Sequence, residues 1–313
     1  MSKKAVVFGA SGQLGVELCS ELRLRGYEVF GYERGKIDVT SAEQVEAALA
    51  RVDAGFVFNA AAYNQVDVAE QEPRAAFEAN ALAVRNLALA SRQSDARLVH
   101  FSTDYVFDGK LGRPYVETDE THPLGAYAVS KLAGELYARA YLPNALVVRT
   151  SGVFGPAGVN TRRGNFPELM MRLAREGKPI RVVEDHVASP TFAPWLAARS
   201  IDLVERELDG IFHVGGGEAI SWFDFARMIF RQAGIEGADL QPTNEREYRT
   251  TAPVRNSPPS PMRASRTPAS LLCRLWRKQW PAISDSECPP AAPSRCRSKT
   301  SAATSVTDDG TER

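Results

Sequence analysis

A doubly wound parallel α/β sheet with a smaller C-terminal lobe is the fold class this sequence predicts. Short β-rich runs alternate with helical stretches of about 10 to 15 residues, the pattern of βαβ units. A glycine-spaced loop joins the first such run to the first helix. Right-handed crossovers between these runs leave few topologies other than the doubly wound one.

The elements follow in order. Lys4 to Phe8 is a short strand, and Gly12 to Arg25 has helical periodicity through Leu14, Leu18 and Leu22. Tyr27 to Tyr32 is the second strand. Ser41 and Gln44 form an S-x-x-Q capping box at the head of a helix reaching about Arg51. Gly55 to Phe58 is a strand, Pro73 to Gln93 one long helix, and Arg97 to Ser102 the next strand. Leu124 to Tyr141 reads as helix and Ala145 to Arg149 as strand. After Thr150 the rhythm loosens. A Gly- and Arg-containing loop, Gly155 to Gly164, precedes helices at Phe166–Glu176, Phe192–Leu208 and Ser221–Ala233, with a strand at Ile211–Val214 expected to return to the main sheet.

From Ala252 the composition changes: nine of the 19 prolines fall in the last 62 residues, with ten serines and a single glycine. Apart from a Leu/Trp cluster, Leu271 to Trp280, no period is sustained. The stretch reads as a disordered extension or as the product of a reading-frame shift near Ala252.

With 44% hydrophobic and 24% charged residues the composition is that of a globular soluble protein. A formal net charge of +0 provides no basic field for nucleic acid or an anionic membrane. No apolar run approaches the ~20 residues needed to span a bilayer, and the start at Met1-Ser2-Lys3-Lys4 lacks a signal-peptide core. A cytoplasmic protein is expected. Cys19, Cys273, Cys288 and Cys296 show neither a disulfide framework nor metal spacing, and Cys19 reads as a small buried hydrophobe. The four histidines, His100, His122, His186 and His213, are scattered and read as structural. Glu70, Glu72 and Glu78 read as surface charges, and Trp222, Phe223 and Phe225 as core.

Gly9-Ala10-Ser11-Gly12-Gln13-Leu14-Gly15 is a G-x-x-G-x-x-G variant of the dinucleotide fingerprint. Glycines there permit a tight turn, close approach to a pyrophosphate and close helix–strand packing, while the helix N-terminus offers its amides to the phosphates. Its position at the first strand–helix junction distinguishes it from an ordinary Gly-rich turn. Beyond the second strand come Glu33, Arg34, Lys36 and Asp38. An acid there suits the ribose hydroxyls of NAD and a guanidinium the 2′-phosphate of NADP; Arg34 tilts the expectation to NADPH, with NADH left open.

Tyr127 and Lys131 lie four apart on one helix face. A phenol has a reference pKa of ~10, and a nearby ammonium and an oxidised nicotinamide would favour its phenolate. Tyr-x-x-x-Lys therefore suits proton exchange with a carbonyl while hydride moves to or from nicotinamide. This spacing also occurs on solvated helices. The phosphate loop upstream and the hydroxyls of Ser102-Thr103, at the carboxyl end of a strand, raise it above coincidence. Thr103 is placed to bond the reacting oxygen.

Together these residues resemble the extended short-chain dehydrogenase/reductases, with their Ser/Thr, Tyr and Lys triad. Ser102-Thr103-Asp104-Tyr105-Val106-Phe107-Asp108-Gly109 resembles the dTDP-4-dehydrorhamnose reductase branch, as do Asn59-Ala60-Ala61-Ala62-Tyr63, Arg149-Thr150-Ser151, Asn165-Phe166 and Ser189-Pro190-Thr191. The resemblance runs from about Lys3 to Arg249. It implies hydride delivery from NADPH or NADH to C4 of a dTDP-linked 6-deoxy keto-sugar, for surface polysaccharide. Thr103, Tyr127 and Lys131 would be catalytic, Tyr127 protonating the new alkoxide and Lys131 holding the nicotinamide ribose. The cofactor would lie on Gly9, Ser11, Gly12, Gln13, Leu14, Gly15, Arg34, Asp38, Val39, Ala60, Ala61, Ala62 and Tyr63, with Tyr127 and Lys131. Thr103, Asp104, Tyr105, Gly152 and Asn165 would line the substrate pocket.

Gly152 stands where the branch commonly carries a tryptophan, so a widened pocket is expected. Some relatives hold a divalent ion between subunits through glutamates. Glu17 matches one, but Pro194 replaces another, so no metal is expected; a homodimer stays open. Arg162-Arg163 is a candidate grip on the substrate diphosphate, or a solvated pair. The implied division is an NAD(P)-binding Rossmann domain at 1–151 with 190–216 returning to it, a substrate lobe at 152–189 and 217–251, and the atypical tail at 252–313. Two other readings stay open: a nucleotide-sugar epimerase or dehydratase that retains its NAD, and a non-catalytic cofactor-binding regulatory subunit.

Overall fold

The computed structural model describes residues 2–160, 164–217 and 219–248. The Arg162-Arg163 pair and the tail from Ala252 lie outside the described residues. β1 (Lys4–Phe8) leads into α1 (Gln13–Leu24), β2 (Glu28–Tyr32), α2 (Ala42–Ala50) and β3 (Phe56–Asn59). Next come α3 (Val66–Ala69), α4 (Pro73–Phe77), a π-helical turn (Glu78–Leu82) and α5 (Ala83–Gln93). β4 (Arg97–Thr103) continues through a 3-10 turn (Asp104–Val106) to α6 (Ala126–Tyr141) and β5 (Leu146–Thr150). The second half holds β6 (Val153–Phe154), α7 (Phe166–Arg175), β7 (Ile180–Val183), β8 (Val187–Ala188), β9 (Thr191–Phe192), α8 (Ala193–Glu205) and β10 (Gly210–His213). β11 (Ile220–Ser221), α9 (Trp222–Gln232), β12 (Leu240–Thr243) and α10 (Glu245–Tyr248) complete it.

Six strands form one parallel sheet in the order β10-β5-β4-β3-β1-β2. The chain steps from β1 outward to β2, then returns to β3 on the other side of β1. That reversal opens a crevice beyond the carboxyl ends of β1 and β3, where ligands bind in open α/β sheets. Alternation along the strands feeds two cores. Val6, Phe8, Val57, Leu98 and Val147 pack with Val45 and Leu49 of α2 and Val84 and Leu87 of α5. Ala5, Val7, Val99 and Val148 face Leu18 and Leu22 of α1 and Leu196 and Ile201 of α8. A third core, around Met170, Phe225 and Ile229, lies between α7 and α9.

The structure departs from the sequence pattern in three places. The helix expected from Pro73 to Gln93 is broken by the π-turn, whose extra residue per turn is invisible to a 3.6-residue period. It swings Asn80 inward, where its side chain bonds both the amide and the carbonyl of Tyr63 and the hydroxyl of Ser130. The capping box closes on one side only: the Ser41 side chain accepts from the Gln44 backbone amide, but the Gln44 side-chain oxygen accepts from the Asp38 backbone amide. Finally, the loosened second half holds three two-stranded pairings, β6 with β9, β7 with β12 and β8 with β11. Strands of two to four residues are too short to show a period.

Candidate active site

The phosphate loop starts where β1 ends. Gly9 adopts φ +78°, and a Cβ on it would stand 2.6 Å from the Ala61 amide nitrogen. A Cβ on Gly15 would collide with the Gly9 carbonyl. The loop is thus pressed against both the start of α1 and the chain leaving β3, and only glycine fits. Gly12 caps α1 without a side chain, so the first-turn amides of Gln13, Leu14 and Gly15 present bare backbone of the kind that cradles a pyrophosphate. Such a cradle fits a dinucleotide. Ala60, Ala61, Ala62 and Tyr63 follow β3 across the crevice, with the Ala61 amide held by the Asn59 side chain. Arg34 and Asp38 are exposed beyond β2, while Val39 packs against the core edge. Bonds from Thr40 hold the Asp38 carboxyl below its ordinary range.

Gln13 does not stay on the loop. Its side chain donates to the Val153 carbonyl at 2.8 Å and accepts from Asn165 at 3.1 Å. Asn165 also caps α7, accepting from the Glu168 amide at 3.0 Å. One side chain therefore joins the head of α1 to the lobe.

Tyr127 and Lys131 lie on successive turns of α6, which crosses β4. Thr103, at the end of β4, hydrogen-bonds the Tyr127 hydroxyl. Ser102 points the other way, as strand alternation requires, and donates to Glu135 at 2.5 Å. So Thr103 alone of the Ser102-Thr103 pair meets Tyr127. Glu135 lies one turn beyond Lys131 and also takes a two-pronged bond from Arg149 of β5, at 2.9 and 2.7 Å. Asp104 accepts from Thr103 at 3.2 Å and from Ser151 at 2.8 Å. The Tyr105 ring meets Tyr127 edge-on at 5.7 Å.

The electrostatics reverse the sequence expectation for Tyr127. Burial raises its phenol well above the ordinary value, with neighbouring Tyr105 and Asp104 adding to the rise and the Thr103 bond opposing it. The Lys131 ammonium instead donates to the Phe101 carbonyl at 2.6 Å, and burial pushes it down to about 8, opposed by Glu135. Desolvation, the largest influence on each, disfavours the charged form of both groups. Tyr127 is a protonated acid at neutral pH. His100, buried beneath Lys131 and bonded to Asn59, is held neutral by burial and by that ammonium.

Sequence reasoning missed several supports. Glu70, read as a surface charge, accepts from the Ala126 amide at 2.6 Å and so caps α6, whose N-cap Gly125 has no side chain to do so. Glu72 accepts from the Tyr63 hydroxyl at 2.8 Å, whereas Glu78 pairs with Arg74 on the surface. Glu135 was visible in principle, four residues after Lys131 on the same face. Asn80 was not, because only the π-turn brings it inward. Gly152 has φ +52°, and a Cβ there would stand 3.3 Å from the Pro190 Cα and 3.5 Å from the Trp222 ring. The space expected to open at Gly152 is therefore partly filled by an indole from α9, packed there by long-range contacts.

Among the described residues no helix is long and apolar enough to cross a membrane. A spore coat polysaccharide biosynthesis protein of Bacillus subtilis, SpsK, is 37% identical over 250 residues, covering 80% of this chain and 86% of that protein. The dTDP-4-dehydrorhamnose reductase of Mycobacterium tuberculosis is 36% identical over 258 residues, covering 80% and 83%. The crystal structure of dTDP-4-dehydrorhamnose reductase from Bacillus anthracis in complex with NADP superposes with a TM-score of 0.77 at 33% identity, covering 82% of this chain and 89% of that one. A sequence profile of the RmlD substrate binding domain matches residues 3–287, past Arg249, where the motifs end. With that match across most of its length, carried on a parallel sheet with a glycine cradle and a Thr-Tyr-Lys cluster at its carboxyl edge, the chain belongs to the RmlD substrate binding domain family.

Proposed function

We propose that this protein is an NADPH-dependent oxidoreductase that reduces the C4 keto group of a dTDP-linked 6-deoxy-4-keto sugar, taking dTDP-4-dehydrorhamnose to dTDP-L-rhamnose for surface polysaccharide. The observation that carries the reading is Tyr127: a half-buried, protonated phenol, bonded to Thr103 at the carboxyl edge of the sheet and one helical turn from Lys131. The activities named for the relatives and the NADP held by the Bacillus anthracis structure support it.

The residues act as follows. Gly9, Gly12 and Gly15 let the backbone close on the cofactor diphosphate, and Arg34 is the guanidinium available to a 2′-phosphate. NADPH, when bound, supplies the hydride. Thr103 and Tyr127 both bond the C4 oxygen of the sugar, and Tyr127 gives it a proton as it becomes an alkoxide. At neutral pH the phenol is protonated and so carries the proton this direction needs. The Lys131 ammonium stabilises the tyrosinate left behind. Asp104, Tyr105 and Asn165 bound the sugar-nucleotide site, in a lobe formed by 152–189 and 217–251 against a cofactor domain of 1–151 with 190–216.

The test is NADPH oxidation, followed by absorbance, with dTDP-4-dehydro-L-rhamnose generated in situ. Tyr127→Phe is expected to lower kcat by about 10²- to 10⁴-fold, the usual worth of a positioned acid, with NADPH affinity kept. A wild type that binds NADPH and leaves the sugar untouched would overturn the reading.

A further inference from the structure

Gly152 follows β5 by two residues, and Thr150 of that strand is paired in register with Thr103. The backbone at Gly152 is therefore close to the reacting edge of the sheet. It adopts φ +52°, a conformation that disfavours side chains, and the tip of the Trp222 ring (Cη2) stands 3.5 Å from where a Cβ would project. Trp222 opens α9, and its amide donates to the His186 carbonyl at 3.1 Å.

The indole is braced from behind. Phe166 packs edge-on against it at 4.7 Å, and the buried Phe225 lies at 6.1 Å. On its other side it meets His186 at 6.4 Å. His186 in turn meets Tyr105 at 6.4 Å, and Tyr105 meets Tyr127 at 5.7 Å. Tyr105, His186 and Trp222 are all half-buried. An unbroken row of rings thus runs from the acid of the reaction to the lobe, and Trp222 is its largest apolar member.

We propose that Trp222 is a specificity-determining residue whose indole forms the apolar wall of the sugar site beside Gly152. This rests on the reductase reading above. Gly152, by carrying no side chain, leaves the ring the space to reach that position. An indole edge favours a carbon-rich surface, such as the 6-deoxy side of the sugar. It accepts no hydrogen bond, so a hydroxyl placed there would lose its bonds to water.

The experiment uses the full chain. Trp222→Ala is expected to raise KM for dTDP-4-dehydro-L-rhamnose about tenfold, the scale of one lost aromatic contact. NADPH affinity and kcat should stay within about threefold. Trp222→Phe should recover most of the affinity. Independently of turnover, dTDP-L-rhamnose added with NADP should quench the tryptophan fluorescence of wild type, and much less that of Trp222→Phe. If Trp222→Ala does not fold, the fluorescence comparison decides. A KM unchanged in Trp222→Ala, or a quench equal in wild type and Trp222→Phe, overturns the inference while the reductase reading stands. A wild type inert toward this sugar overturns both.

Discussion

Tyr127 and Lys131 are adjacent on their helix face, yet packing sets their protonation. Sequence spacing places an ammonium beside a phenol and implies an acidified tyrosine. In the fold Lys131 turns to the Phe101 carbonyl and burial governs both groups, so Tyr127 stays protonated and Lys131 titrates at about 8. If the ammonium is needed to steady the tyrosinate, kcat/KM for the sugar is expected to fall above about pH 8 in the free enzyme. A profile flat to pH 9.5 or so would remove Lys131 from that role. Stability should move the opposite way. The folded protein gives up this proton at about 8 and the unfolded chain near 10.5. Between those values the unfolded state binds more protons, so the cost of burying the charge is present below pH 8 and relieved as pH rises. Urea midpoints measured from pH 8 to 10 should climb more in wild type than in Lys131→Met.

At the scale of elements, the position of α6 decides whether these side chains meet β4. Three devices hold it. Glu70 caps its first turn, Ser102 and Arg149 clamp Glu135 to two strands, and the π-turn packs against it through Asn80. Gly134 makes the last contact feasible, since a Cβ there would collide with the Asn80 carbonyl and lie 3.3 Å from the His100 ring. Both obstacles are buried, and one is backbone. Although alanine is the better helix former by roughly 1 kcal/mol, Gly134→Ala is expected to destabilise by about 1–3 kcal/mol, the cost of overpacking. It should also reduce kcat, because relieving the clash moves α6 away from Thr103. Thermal unfolding and turnover of the variant check this; a stabilised Gly134→Ala would mean the π-turn yields easily.

Across the whole molecule, the cofactor side and the lobe meet at Gln13. Its carboxamide bonds Val153 and Asn165, and Gly158 carries no side chain because a Cβ would strike both Gln13 and Asn165. The loop expected to hold the cofactor is thereby tied to the cap of α7 in the lobe. Gln13→Ala removes two part-buried bonds, each worth about 0.5–1.5 kcal/mol net. It is expected to weaken binding of NADP and of dTDP-L-rhamnose together, each by about three- to tenfold. Calorimetric titration of both ligands reads this out, and a loss confined to NADP would make Gln13 a cofactor contact alone.

The sequence by itself determined the parallel α/β class, the glycine loop and the Tyr127–Lys131 pair. Each is written over a short stretch: a period, a turn that admits only glycine, two residues one helical turn apart. The doubly wound class followed from crossover handedness, a rule that needs no contacts, whereas the strand order came from the structure. Only the tertiary structure decided that Ser102 turns to Glu135 and that Glu70 caps α6. It also decided that Asn80 turns inward and that an indole from α9 stands at Gly152. These depend on residues distant in sequence being packed into one space. The protonation of Tyr127 belongs with them, because desolvation is set by everything that surrounds a group, and no local pattern records it.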